Sequence, residues 1–414
     1  MTTVKFQLSH RQKLLLPVIL LGSFFEGFDF MIINLSLPFI SRDLGINIQE
    51  TGFALSIVAS GTLVAFFVVR LGDRFGRKPV YLWSVALYAV LSLITAFSPN
   101  IEFFVACQFL ARIFLTASWA TGFIVIAEEF AVEVRGRALV LFQSASAIGA
   151  IFPSLLMPIF AGTSFGWRGL YVVGVLPLLI VIFLGKNFHE TERFQRTREN
   201  RSTKPSFFSV FQPPYRKHML TVAALWFLIY LCYAATLTFF SYRVVTELGW
   251  DETTVGFTTA IAYLLGLSGF FTAGKLLDSI GRKKTAVIFF LGGSLATVAA
   301  FQATEYLWVL ISLILGTFFV GVFTVICASF TNELFPTEIR ANATAWGNNI
   351  VGRTAQILAP SLVAALAIPL GGVGNAVSVL ALTPLIAIVL VLLFLPETKY
   401  SEMQDFVDLA PVER

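Results

Sequence analysis

The sequence predicts an all-α membrane protein, with twelve transmembrane helices in two pseudo-symmetric six-helix bundles. Three observations carry this. Only 13% of the 414 residues are charged, where a soluble chain carries about 25%, and mean hydropathy is +0.81. The apolar residues fall in twelve continuous runs spread over the whole chain, each long enough to cross about 30 Å at about 1.5 Å per residue. Two loop motifs return later in the chain at one common offset. Continuous runs without alternation exclude a barrel, whose strands alternate lipid-facing and lumen-facing residues.

The first run, 14–39, is the unusual one, because Glu26 and Asp29 sit near its middle. Runs at 51–70 and 80–98 follow, separated by the basic segment from Arg70 to Lys78. Runs at 102–127 and 138–161 flank Glu128, Arg135 and Arg137, and a run at 168–187 closes the first half. The second half has runs at 219–242, 254–276, 285–303, 306–331, 341–366 and 373–395. These limits give an N-terminal bundle over 1–187, a linker over 188–218, a C-terminal bundle over 219–396 and a tail over 397–414. The linker is rich in Arg, Glu and Ser and carries Pro205, Pro213 and Pro214. Pro153 and Pro360, each in a Pro-Ser-Leu triplet, are expected to kink corresponding helices.

Orientation follows from Lys and Arg, which concentrate in the cytoplasmic loops of membrane proteins. Of 29 such residues, 24 lie on the side of the N-terminus, three on the other side, and two inside spans. The expectation is a plasma-membrane protein with both termini and the linker in the cytoplasm. The net charge of +5 resides in those short loops, so nucleic acid is not an expected partner. Cys107, Cys232 and Cys327 all lie in apolar runs and read as small buried hydrophobes, and His10, His189 and His218 lie outside them. Neither a metal site nor a cofactor is expected. The first run is too long for a cleavable signal and lacks a small-residue cleavage site.

The internal repeat is specific. The segment Leu71-Gly72-Asp73-Arg74-Phe75-Gly76-Arg77-Lys78 returns in the segment from Gly274 to Lys283, which contains Asp278, Gly281 and Arg282. The segment from Glu128 to Arg135 returns as Glu333 to Arg340. Such a repeat implies two bundles related by a pseudo-two-fold axis, with substrate bound between them.

On these motifs the chain resembles a major facilitator superfamily transporter over nearly its whole length. The Asp-x-x-Gly-Arg-Lys loops are similar to that superfamily's signature, with Gly274 leading the second copy and Val69 in that place in the first. Glu128 with Arg135, Glu333 with Arg340, the segment from His189 to Phe194, and Pro396-Glu397-Thr398-Lys399 resemble motifs of the sugar-porter-like branch. Glu26-Gly27-Phe28-Asp29 is similar to the first-span motif of aromatic-acid and metabolite–proton symporters. The resemblance implies alternating access, with Asp73, Arg74, Arg77, Glu128, Arg135, Asp278, Arg282, Glu333 and Arg340 as gating residues. Arg77 and Arg282 are expected to pair across bundles with carboxylates such as Glu128 and Glu333, and Asp73 and Asp278 to sit near helix N-termini. Positive-inside topology would explain the basic residues alone.

Four ionisable Asp, Glu, Lys or Arg residues lie well inside the spans: Glu26, Asp29, Arg112 and Arg353. A charge at mid-bilayer costs about 2.5–3.5 kcal/mol on insertion scales, so such groups face protein or water and mark function. Glu26 and Asp29 are three apart and share a helix face. The simplest pairing sets Asp29 against Arg112, as the resemblance to sugar porters also implies, with Thr116 where those have glycine. A substrate anion that draws Arg112 away would leave Asp29 to take up a proton, coupling the two events. Arg353 is either a substrate ligand or a partner of Glu26. Glu26 is either a second coupling acid or a hydrogen-bonding helper. Trp119, Gln143, Tyr230, Tyr233, Tyr263, Asn348, Asn349 and Gln356 are weaker substrate-site candidates, each also explicable as packing.

The expected function is proton-coupled symport of a small organic anion by a monomer in the lipid bilayer. A sugar or polyol carrier, an exporter of drugs or metabolites, and a membrane sensor remain open. No nucleophile–base pattern or phosphate-cradling loop appears, so enzyme chemistry is not expected.

Overall fold

The computed structural model describes residues 8–188, 190 and 206–399. The segment His189-Glu190-Thr191-Glu192-Arg193-Phe194 is therefore described only at Glu190, and most of the linker and the tail beyond 399 lie outside the described residues.

Within the described residues twelve helices have membrane-crossing length and composition. They are α1 (His10–Asp43), α2 (Ile48–Phe75), α3 (Arg77–Thr95), α4 (Ile101–Glu129), α5 (Val134–Ala161), α6 (Trp167–Leu184), α7 (Arg216–Thr246), α8 (Glu252–Ile280), α9 (Arg282–Gln302), α10 (Tyr306–Leu334), α11 (Glu338–Ala367) and α12 (Val373–Phe394). Lipid cannot bond exposed amides, so each apolar run satisfies its backbone within a helix. The ends carry local signals. Ser9 and Gln12 form a capping box that starts α1, Asn100 caps α4 by accepting from Phe103 N–H at 2.9 Å, and Asp251 accepts from Thr254 N–H at 2.8 Å as α8 begins. The Asp251 carboxyl is held below its ordinary value by those hydrogen bonds to Thr254.

The chain forms two compact units, one within Met1–Ile46, Ile57–Ser202 and Asp251–Phe257, the other within Asn47–Ser56, Thr203–Trp250 and Thr258–Arg414. The first has a core that includes Ile19, Tyr81, Tyr88, Ile126, Phe130 and Phe142. The core of the second includes Trp226, Phe289, Phe290, Phe323 and Phe330. In the first unit α1 and α5 approach very closely, because glycine occupies both faces of the contact: a Cβ on Gly27 would lie 1.9 Å from the Ser146 carbonyl oxygen, and one on Gly149 1.8 Å from that of Phe24. In the second, the N-terminal end of α2 lies on α11, where Ser56 and Ser361 share a hydrogen bond of 2.7 Å. Large apolar side chains such as Phe67, Trp83, Phe271 and Leu393 are exposed, as lipid-facing surfaces require.

Candidate functional site

The membrane-embedded acids of α1 lie inside the first unit. Asp29 is only 4% exposed, and the Ser92 hydroxyl of α3 donates to its Oδ1 at 2.7 Å. Arg112 of α4 is half-buried and lies over the Phe30 ring at 4.9 Å, within electrostatic range of Asp29, so the hydrogen bond to Asp29 comes from Ser92 and not, as the sequence led us to expect, from the guanidinium. Glu26 is half-buried and accepts a hydrogen bond from Ser146 of α5 at 2.7 Å, a contact that the glycine-mediated approach of α5 permits. A low-dielectric interior strengthens each of these interactions and penalises any group left without them. Trp119 stands further along α4, stacked on Phe123 at 6.0 Å and against Phe142 at 5.9 Å, and Gln143 is exposed.

The second unit gathers most of the remaining candidates on α7 and α11. The Tyr230 hydroxyl donates to Asn348 Oδ1 at 2.9 Å. The Arg353 guanidinium carbon lies 5.7 Å from the Tyr230 ring centre, and its Nη1 donates to Gln356 Oε1 at 2.8 Å. Tyr233 sits edge-on to Tyr230 at 6.0 Å, with Tyr263 within its electrostatic range. From Ala345 to Gly352 the coil of α11 widens to the π form, which commonly marks functional positions. Gly352 lets this segment press on Tyr230, whose ring carbons would stand 2.8 and 2.9 Å from an added Cβ. Asn349 is exposed, whereas Asn348, Arg353 and Gln356 are half-buried around Tyr230.

The two loop motifs build matching networks, one in each unit. Arg77 donates to Glu128 at 3.1 Å and meets Asp73 at 2.9 Å. Arg282 donates to Glu333 at 2.8 Å, with Asp278 within electrostatic range. Each arginine thus pairs with a carboxylate of its own unit, which corrects the expectation of pairs across bundles: the loop following α2 or α8 is too short to carry the arginine away from the neighbouring α4 or α10. The expected seat of the aspartates is also corrected. Asp73 and Asp278 lie in the last turns of α2 and α8, at helix C-terminal ends. The carboxylates at the N-termini of α3 and α9 are those of Glu190 and Glu397.

Glu190 accepts from the backbone N–H of Arg77 at 2.7 Å and of Lys78 at 3.2 Å, while Glu397 accepts from those of Arg282 at 2.8 Å and Lys283 at 3.0 Å. A carboxylate here meets free N–H groups and the positive end of the helix dipole. Gly76 and Gly281 make room for it, with φ of +104° and +96° and no Cβ to strike the carboxylate. Burial opposes the charge on Glu397, but backbone donors from Arg282, Lys283, Lys399 and Thr398 outweigh it and hold the carboxyl below its ordinary value. Arg135 and Arg340 each reach back with Nε to a carbonyl five residues earlier, Phe130 at 3.0 Å and Phe335 at 3.3 Å, closing the ends of α4 and α10. Arg74 is exposed over the Phe75 ring. A Cβ on Gly274 would meet nothing within 4 Å, so that glycine is not needed here for close packing.

Ser92 and the glutamate caps escaped sequence reasoning. A serine inside a span carries no charge to advertise it. The available signal was the spacing of Tyr81, Ser84, Tyr88, Ser92 and Thr95, which puts five polar side chains on one face of α3, all buried.

Twelve lipid-length helices in two units, with ionisable groups held in the interior and repeated charge networks at helix ends, define a polytopic membrane carrier. The chain belongs to the Major Facilitator Superfamily, whose family model matches residues 19–245 and 225–405. It is similar to the sialic acid transporter NanX of Escherichia coli (strain K12), 26% identical over 90% of this chain and 91% of that one. The niacin transporter NiaP of Acinetobacter baylyi (strain ATCC 33305 / BD413 / ADP1) is 27% identical over 84% of this chain and 86% of its own. The cis,cis-muconate transport protein of the same strain is 26% identical over 96% and 97%. Among solved structures, the inward open conformation of the xylose transporter XylE from E. coli matches with a TM-score of 0.74 at 17% identity, over 95% of this chain and 99% of that one. The protein is thus an integral membrane transporter and not an enzyme.

Proposed function

We propose that this transporter carries a small organic anion together with protons, by alternating access. The observation that carries the reading is the buried Asp29, hydrogen-bonded to Ser92 and within electrostatic range of Arg112. A carboxyl group so placed keeps its charge while the guanidinium attends it. When a substrate carboxylate engages Arg112, Asp29 loses that support and binds a proton. Arg353, half-buried beside Tyr230 and Gln356, is the second anion ligand, and Glu26 assists Asp29 from the neighbouring turn. The named substrates of the relatives, sialic acid, niacin and muconate, support an acidic cargo.

The loop networks hold together the ends of α2, α3 and α4 in one unit and of α8, α9 and α10 in the other, so that helices of a unit move as one body during gating. On this reading the protein is a monomer of the plasma membrane with both termini cytoplasmic. Two bundles, 1–187 and 219–396, are joined by the linker 188–218. A neutral polyol is the second reading, favoured by the amides of Asn348 and Gln356 next to the Tyr230 hydroxyl.

The test is uptake into proteoliposomes of sialic acid, nicotinic acid, cis,cis-muconate, 4-hydroxybenzoate and, as neutral control, xylose. One of the acids should accumulate when the lumen is made alkaline. Asp29→Asn should abolish that accumulation while leaving exchange of labelled for unlabelled substrate. Full gradient-driven accumulation by the variant would refute the coupling role, and transport of xylose alone would install the polyol reading.

A further inference from the structure

In the second unit, the chain just ahead of α7 folds over the N-terminal part of α11. Trp346 is the centre of this contact. Its indole N–H donates to the Phe207 carbonyl oxygen at 3.0 Å. Its ring lies against those of Phe207 at 5.0 Å, Phe208 at 5.4 Å and Phe211 at 5.0 Å. About one turn earlier, the Asn342 amide donates to the Ser206 carbonyl oxygen at 3.1 Å. Two side-chain donors of α11 thus take up successive carbonyls of a segment outside any helix, which would otherwise need water. The segment is anchored as well, because Val210 is fully buried in the core of this unit.

Trp346 stands at the start of the widened stretch of α11. At Ala345 the backbone N–H still reaches the Ala341 carbonyl, four residues back, whereas at Arg353 it reaches that of Asn348, five back. The stretch from Ala345 to Gly352 therefore holds one residue more than an α-helix of the same course. One residue is about 100° of helix rotation and about 1.5 Å of rise. If the stretch closed to the α form with the rest of α11 fixed, the residues ahead of Arg353 would turn by up to that angle against α7. A π stretch is rare in helices, so contacts on its sides must select it.

Those contacts lie on two sides. Toward α7, a Cβ on Gly347 would lie 3.0 Å from Trp226 Cδ1 and one on Gly352 2.8 Å from Tyr230 Cδ2, and the Tyr230 hydroxyl donates to Asn348. Toward the linker, the grip is Trp346. Trp346 and Asn348 are two residues apart, so they project from nearly opposite sides of the helix. We infer that Trp346 is a positioning residue: seated among the linker phenylalanines, it keeps α11 in the register that sets Asn348 against the Tyr230 hydroxyl and Arg353 by the Tyr230 ring. Chain outside the twelve spans thereby shapes the binding face of this unit. The functional consequence rests on the reading of Arg353 and its neighbours as substrate ligands.

A thermal-stability cycle on the purified full chain tests the register without substrate. Tyr230→Phe deletes the bond to Asn348 and should lower the melting temperature of the otherwise wild-type chain by about 1–2 °C. In the Trp346→Leu background that bond is already lost, so Tyr230→Phe should cost markedly less. Joint replacement of Phe207 and Phe211 by alanine opens the seat from the linker side and should give the same loss of coupling, which keeps the test in force if Trp346→Leu fails to fold. Additive losses in the folded backgrounds overturn the inference, because a tryptophan that only adds packing would leave the Tyr230–Asn348 bond intact. No effect of Tyr230→Phe in the wild type overturns it too, since Asn348 would then not be seated there. The substrate reading fails separately: coupling in the cycle, together with wild-type uptake of the transported acid by Arg353→Ala proteoliposomes, would uphold the register and place the substrate elsewhere.

Discussion

Replacing Gly27 by alanine tests the contact that holds α1 against α5. The added Cβ would lie 1.9 Å from the Ser146 carbonyl oxygen and 2.7 Å from its carbon, both backbone atoms that no rotamer change can move aside. Ordinary van der Waals contact begins at 3.4 Å, so the helices must part by roughly 1.5 Å at this level, by the hard-contact argument that makes overpacking costly. That separation would also stretch the 2.7 Å bond from Ser146 to Glu26 and open the neighbouring contact of Gly149 with Phe24. Overpacking costs about 1–3 kcal/mol, and alanine recovers roughly 1 kcal/mol of helix propensity. The net expectation is a loss of up to about 2 kcal/mol, read as a fall of up to a few degrees in the apparent melting temperature of purified protein. Gly274→Ala is the matched control, since its Cβ meets nothing within 4 Å and keeps the propensity gain. Transport by Gly27→Ala should fall as well, because Glu26 loses its fixed position. If Gly27→Ala melts with Gly274→Ala at or above the wild type, the helices are not held by this approach and the reasoning fails.

Two further predictions concern the helix-end networks. The Arg77–Glu128 pair is largely buried, with both side chains 12% exposed, so Arg77→Ala, Glu128→Ala and the double variant should show a coupling of about 1–3 kcal/mol in a thermal-stability cycle, and additive losses would argue against the pair. Glu397 is held below its ordinary value in the folded chain, so its stabilising effect is present above the usual glutamate range and is lost as pH falls through the lowered value. Glu397→Gln should therefore melt below the wild type at pH about 7 and approach it at pH about 3, and a pH-independent difference would show that the charge is not what matters.

Much of the candidate site was legible in the sequence, and the reason is energetic. A carboxylate or guanidinium inside an apolar run is expensive wherever the run packs, so Glu26, Asp29, Arg112 and Arg353 announced themselves by residue type and position alone. The common offset of the loop motifs likewise showed that Arg77 with Glu128 and Arg282 with Glu333 are repeated features, before any geometry was known.

The partners of those groups depended on three-dimensional register. Which residue of α3 meets Asp29 is fixed by how that helix slides along α1, and a shift of one residue would have turned Ser92 away. That Glu190 and Glu397, and not Asp73 and Asp278, sit at the helix N-termini depends on chain segments more than a hundred residues removed from the helices they cap. Residue chemistry thus determined which groups must find partners in a membrane, and the packing of helices decided which partners they found, because short-range hydrogen bonds depend on positions that only the assembled fold sets.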